Sequence, residues 1–212
     1  MLDLVLPLEC GGCGAPSTRW CAACALEWAL NPGAPLVVTP RIDPQVPVFA
    51  LGRYAGARRR AIVAMKDRGR TDLRAPLSRS LALGIYRLLQ WGLLDVPLTI
   101  VAAPTRGWSA RQRGGDPVTR IATLATADHP GITVVRALRM KAWARDSAGL
   151  DSAARERNVA GRVSLTRRNL PPGGELLLVD DIVTTGATAR ESVQVLQAAG
   201  ARVTAVLALA AA

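Results

Sequence analysis

Two acidic residues stand side by side, Asp180 and Asp181, after the apolar run Leu176-Leu177-Leu178-Val179. A hydroxyl-rich turn, Thr184-Thr185-Gly186-Ala187-Thr188, follows them. Adjacent carboxylates at the end of a buried strand are costly unless they meet a partner. A ribose diol is one partner, because ionised carboxylates accept hydroxyl protons. A hydrated Mg2+ is another. The turn opens a helical pattern with Ala189, Val193 and Leu196 on one face. Hydroxyls and backbone N–H groups at a helix N-terminus form an anion site that suits a 5-phosphate, and Gly186 lets the chain curl close to it. One short segment thus offers a grip for each end of a ribose 5-phosphate. A capped helix after an ordinary strand accounts for the threonines but leaves the paired acids unexplained.

The second constellation is Cys10, Cys13, Cys21 and Cys24, spaced Cys-x2-Cys-x7-Cys-x2-Cys, and the chain has no other cysteine. Outside an oxidising compartment, paired knuckles of this kind point to zinc rather than disulfides. Each knuckle aims two thiolates at one point, and two knuckles complete a tetrahedral shell. Gly11, Gly12 and Gly14 permit the tight turns. An iron–sulfur cluster also takes four thiolates, and a redox dithiol is a third option. Four protein ligands leave no open position for water, so the expected role is structural.

These groups need a scaffold. The 212 residues carry 50% hydrophobic and only 4% aromatic content, a composition that suits a parallel α/β sheet better than a β-sandwich. The pattern predicts strands over residues 46–54, 97–104, 131–138, 175–181 and 203–210. It predicts helices over 57–68, from Asp72 as cap to about Trp91, from Asp116-Pro117 onward, a short one from Asp151 to Asn158, and over 188–199, the last closed by Gly200. Residues 139–149 read as a basic loop. Alternating strands and helices imply right-handed crossovers, and ligands beyond the carboxyl ends of the strands. The expected division is a four-cysteine module over residues 1–30, a Pro-dense linker or extended connection over 31–47, and the α/β domain over 48–212. No apolar run reaches the ~18 residues of a membrane span. Met1 to Pro7 lacks the basic start of a secretory signal, so a cytoplasmic protein is expected. The net charge of +11 favours anionic partners or marks an Arg-rich solvated surface.

Residues 176–188 resemble the 5-phosphoribosyl-1-pyrophosphate (PRPP) motif of type I phosphoribosyltransferases at each of the thirteen positions. The four-cysteine module, Arg53-Tyr54-x-Gly56, Met65-Lys66-x-x-Gly69, Arg111-x-Arg113-Gly114 and Arg155-x-x-Asn158-Val159-x-Gly161 extend the resemblance over almost the whole chain, to the ComF family of phosphoribosyltransferase-like proteins. That family is named for a competence protein linked to DNA uptake. The resemblance implies a type I phosphoribosyltransferase-like sheet with an N-terminal zinc module. It implies that Asp180 and Asp181 hold the ribose 2- and 3-hydroxyls, and that Thr184, Thr185, Gly186, Ala187 and Thr188 cradle the 5-phosphate. It further implies that Ala103, Pro104, Thr105 and Arg106 touch pyrophosphate, and that Lys66 contacts the same phosphate; read alone, Lys66 is equally a surface lysine. Gly115, Asp116 and Pro117 stand where ComF-like chains usually carry an aromatic residue, Asn and Gln, and Asp146 stands in place of a Gln. Both loops would flank the second substrate.

The implied reaction is phosphoribosyl transfer from Mg-bound PRPP to an unidentified acceptor, with positive charge building on the ribose ring as pyrophosphate leaves. The basic stretch 139–145 would close over the site. No general base stands out: His129 is the sole histidine and precedes Pro130 in a turn. Two other readings share the sequence. One is a protein that binds PRPP without turnover. The other is a partner of single-stranded DNA or competence-machinery proteins, using the cysteine module and Arg58-Arg59-Arg60.

Overall fold

Nine consecutive residues, Glu175–Val183, form the strand that the acid pair belongs to. The computed structural model describes residues 8–29, 33–104, 116–141, 161–166, 170 and 174–212. In chain order these give α1 (Ala22–Trp28), β1 (Leu36–Val37), β2 (Val48–Ala50), α2 (Gly56–Asp67), a 3-10 turn (Thr71–Leu73), α3 (Arg74–Gln90), β3 (Leu98–Ala102) and α4 (Pro117–Ala125). Then come β4 (Ile132–Val135), β5 (Leu138–Met140), β6 (Val163–Leu165), β7 (Glu175–Val183), α5 (Ala187–Ala198) and β8 (Val203–Ala211). Six strands make one sheet in the order β1-β2-β8-β7-β3-β4, parallel except for β1 at its edge.

Side-chain alternation assigns the two faces of the sheet. Leu98, Ile100, Leu177, Val179 and Leu207 point to one side, where they join Ile62, Leu77, Leu81 and Ile121 of α2, α3 and α4. Val101, Leu176, Leu178 and Val206 point to the other, against Ala189, Val193 and Leu196 of α5. With both faces covered, β3, β7 and β8 read as continuous apolar runs, as a parallel sheet requires. The α/β class expected from composition and periodicity is the observed one. No helix among the described residues is long and apolar enough to cross a membrane.

Local differences have physical causes. Asp72 does not cap α3, which starts after Leu73 without a side-chain cap. Its carboxylate instead takes a fork of hydrogen bonds from Arg70, at 2.8 and 2.7 Å, a stronger pairing than a neutral cap bond. Pro76 still falls in the first turn, where its missing N–H costs nothing. Asp116 caps α4 as expected, accepting from Val118 and Thr119, with Pro117 first in the helix. The apolar run 131–138 splits. Ile132–Val135 joins the main sheet, while Leu138–Met140 pairs antiparallel with Val163–Leu165 in a separate two-stranded sheet. The expected helix 151–158, the motif positions Arg111 to Gly114 and Arg155 to Asn158, and most of the basic loop lie outside the described residues.

The cysteine module is not tethered loosely. Glu27 of α1 accepts the Ala57 N–H at 3.1 Å through its carboxylate and the Arg58 guanidinium at 2.9 Å through its carbonyl. Arg58 also lies 4.3 Å above the Trp28 ring. Trp28 is buried in the main core and meets Trp20 edge-on at 6.1 Å, so the two tryptophans join the module to the α/β core rather than forming a core of their own. Residues 33–47 form an extended connection that adds β1 to the sheet edge, Val38 donating to Val48 at 2.8 Å.

Candidate functional site

The acid pair follows the fully buried run Leu176 to Val179 in the carboxyl-terminal half of β7, toward the edge of the sheet where open α/β folds place ligands. Asp180 is partly exposed and Asp181 is buried. Successive strand residues face opposite ways, so the two carboxylates diverge and meet different surroundings. Asp181 pairs with Lys66, whose Nζ lies 2.6 Å from Oδ2. Burial pulls the Lys66 ammonium toward neutrality, but the Asp181 charge and hydrogen bond outweigh it and the net shift is upward. Lys66 sits in the last turn of α2, where a cation also complements the helix dipole. Lys66 is thus a partly buried, ion-paired lysine.

Asp180 has no such cation at contact distance among the described residues; one of its oxygens accepts the Asp181 N–H at 2.8 Å. Packing around its carboxyl, together with the Asp181 charge, pushes its pKa up to about 8. The two acids thus meet unlike surroundings: Asp181 is ion-paired with a lysine, and Asp180 has a raised pKa.

β7 ends at Val183 and α5 begins at Ala187. Gly186 occupies the N-cap position in the left-handed region, at φ 86°, and supplies no capping side chain. The threonines therefore do not cap the helix in the ordinary way; Thr185 Oγ1 makes only a long 3.4 Å contact with the Ala187 N–H. That leaves the first-turn N–H groups and the Thr184, Thr185 and Thr188 hydroxyls as an anion cradle. Thr184 is exposed, and Thr185, Ala187 and Thr188 are partly so.

What the sequence does not reveal is the clasp behind this turn. Thr185 accepts the Ile42 N–H at 2.8 Å, and Arg190 of α5 donates to the Asp43 carbonyl at 2.7 Å. A Cβ on Gly186 would come 2.3 Å from the Ile42 carbonyl oxygen and 2.8 Å from Pro40 Cβ. Residues 40–43 thus fix the turn from the side opposite its open face. The Pro spacing was the only signal, and it marks an extended segment without saying what it packs on.

Ala103 donates to the Val179 carbonyl at 2.8 Å, which sets Ala103 and Pro104 beside the start of the acid pair. Thr105 and Arg106 lie outside the described residues.

Cys10, Cys13, Cys21 and Cys24 converge, their sulfurs all within 4.8 Å of one another. Zn–S bonds of about 2.3 Å in a tetrahedron put sulfurs about 3.8 Å apart, and Cys13 and Cys21 are 3.6 Å apart. The N–H groups of Ala15, Cys21 and Cys24 point at Cys13, Cys10 and Cys21 sulfurs at 3.4, 3.4 and 3.5 Å. A Cβ on Gly12 would come 2.6 Å from Cys24 Sγ, so glycine is what lets the knuckle close. Donor set, spacing and N–H pattern fit a metal ion such as zinc.

No family model matches the chain, and no curated protein matches it. Among solved structures it is similar to an adenine phosphoribosyltransferase at 15% identity, over 66% of this chain and 71% of that one, with a TM-score of 0.39. It is similar to a structure described as the allosteric regulatory enzyme of purine biosynthesis at 20% identity, over 64% of this chain but only 25% of that one, with a TM-score of 0.37. A hypoxanthine phosphoribosyltransferase from Staphylococcus aureus is similar at 16% identity, over 63% and 60%, with a TM-score of 0.32.

Proposed function

We propose that this chain is a ComF-type phosphoribosyltransferase-like protein that binds PRPP with Mg2+ at residues 176–188 and transfers its phosphoribosyl group. The observation that carries the reading is one continuous strand, turn and helix that presents a split acid pair and an uncapped, glycine-hinged anion cradle at the carboxyl edge of a parallel sheet. Asp180 and Asp181 take the ribose hydroxyls. Residues 184–188 take the 5-phosphate. Ala103, Pro104, Thr105 and Arg106 are assigned to the pyrophosphate, and Lys66, which pairs with Asp181, to the same leaving group. The bond from the anomeric carbon to pyrophosphate breaks, the electron pair leaves with the pyrophosphate of the Mg-bound substrate, and an acceptor nucleophile bonds to the carbon and passes its proton to solvent. The protein contributes position and charge rather than covalent chemistry. The zinc module over residues 1–30 is structural, appended to the domain over 48–212, and the protein works in the cytoplasm.

Calorimetric titration with PRPP and Mg2+, followed by a pyrophosphate-release screen over nucleobases and amines, tests this. Saturable Mg-dependent binding is expected, with loss of at least 100-fold in affinity in D180N/D181N, since two charged hydrogen-bond acceptors vanish. Binding that survives the double change overturns the site. Binding without release for any nucleophile leaves PRPP as a signal rather than a substrate.

A further inference from the structure

A cleft of about 230 Å3 separates the cysteine hairpin from α2. Four arginines line it: Arg59 and Arg60 from α2, Arg68 just past its end, and Arg70. The glycine-rich backbone of residues 11–14 forms the opposite wall, Val63 gives an apolar contact surface, and Glu9 is the only carboxylate among the lining residues. Two arginines are already fixed. Arg70 is forked onto Asp72 and donates to the Glu9 carbonyl at 3.0 Å, and Arg60 donates to the Cys13 carbonyl at 2.8 Å. Arg59 and Arg68 are exposed, and their side chains have no hydrogen-bond or ion-pair partner among the described residues.

We infer that this cleft is a second anion site, separate from the acid pair and its turn, which takes phosphate groups along a wall that has Arg59 towards one end and Arg68 at the other. Guanidinium forks match phosphate oxygens, and a charged, partly enclosed wall strengthens each such bond. The fixed arginines are tied to the hairpin backbone through the Cys13 and Glu9 carbonyls. Arg59 and Arg68 lie further out and are left for a ligand. One face of α2 links the two sites: at about 100° per residue, Arg59, Val63 and Lys66 fall within about 60° of each other. A phosphate held at Arg59 therefore acts on the same helix that delivers Lys66 to Asp181. The inference does not depend on PRPP being the ligand of the first site.

The phosphate has two sources, a small free phosphate or the backbone of a nucleic acid strand, and two probes distinguish them. The full metal-loaded chain is titrated at low salt with inorganic phosphate and with a ten-residue oligothymidylate, alongside R59A/R68A. Both side chains are exposed and outside the PRPP reading, so the variant retains its metal and its PRPP titration. Expected is a loss of about tenfold or more in affinity for at least one probe in R59A/R68A, and steep weakening with salt in the parent. Selective loss of the oligonucleotide assigns the cleft to a strand, and loss of both assigns it to phosphate itself. Equal affinities in parent and variant, or salt-independent binding in the parent, overturn the site. Metal release by R59A/R68A with phosphate binding intact overturns it as well, by making these arginines counter-charges of the cysteine centre.

Discussion

The molecule gathers like-charged ligand groups in two places and treats them oppositely. At the cysteine hairpin all four sulfurs converge on one point and backbone N–H groups back three of them. At the end of β7 the two carboxylates diverge, one paired with Lys66 and the other left with a raised pKa. A closed set of identical donors is a structural device, because it leaves no position for a reactant. An unequal, half-open pair is a chemical one, because a ligand can complete it. On the proposed reading the contrast separates a part that holds the fold from a part that binds, and the variants below act on one side or the other.

The largest effect is expected from the closed side. Chelating the metal, or C24S, leaves buried thiol groups facing one another without a cation. Trp28, which bridges the module and the main core, then loses part of its cover. A loss of several kcal/mol is expected, read as a fall in the thermal midpoint together with a tryptophan fluorescence change. One zinc per chain should return both on reconstitution. A chain that keeps its midpoint without metal would erase the contrast.

Next comes the turn of the open side. G186A forces a side chain into a left-handed residue and against the Ile42 carbonyl. The cost is about 2–4 kcal/mol of stability, and PRPP affinity falls by more than tenfold because the cradle moves. Unchanged PRPP binding in a folded G186A protein would show that the turn does not hold the phosphate.

This turn also marks how far the sequence could be read. The strand, acid pair, turn and helix were legible because they are contiguous, and because a continuous apolar run gives way to a 3.6-residue period within a few positions. The cap at Asp116 and the cysteine spacing are local in the same sense. Lys66 came forward through family resemblance alone; nothing in its own neighbourhood announces Asp181. The clasp of residues 40–43 was not legible, since its contacts join positions up to 147 apart in sequence and leave no periodic trace. Leu138 reads as part of the preceding strand for a related reason: an apolar run shows burial, not which partner supplies it, and its partner is Leu165. Asp72 shows a third limit, where two groups compete for one carboxylate and the stronger donor wins.

A smaller effect follows from Lys66. K66M keeps the aliphatic stem but strands the buried Asp181 carboxylate. The Lys66 side chain is 33% exposed, so screening reduces the cost to about 1–2 kcal/mol. Chemical denaturation should show this as a midpoint shift without a change in slope. If Lys66 also faces the leaving group, K66M lowers turnover more than it weakens PRPP binding, which separates that role from a purely structural pairing.

The finest test concerns Asp180. Its pKa rises from the ordinary 3.8 to about 8 in the folded chain. Between those values the unfolded chain has released a proton that the folded chain keeps, so the folded state binds more protons and stability falls as pH climbs from about 4 to about 8. Below the unfolded pKa the contribution is flat. D180N removes the ionisation and should flatten this segment of the stability–pH curve, leaving the variant relatively more stable than the parent near pH 8. Ligand binding runs the other way. Ribose hydroxyls and Mg2+ both favour the ionised carboxylate, so PRPP binding should release a proton near pH 7 and tighten as pH approaches 8. Titrations in two buffers of different ionisation enthalpy would detect that proton. A stability curve that rises over the same interval would mean that Asp180 is ionised in the free protein, and that the two acids are not divided as their surroundings indicate.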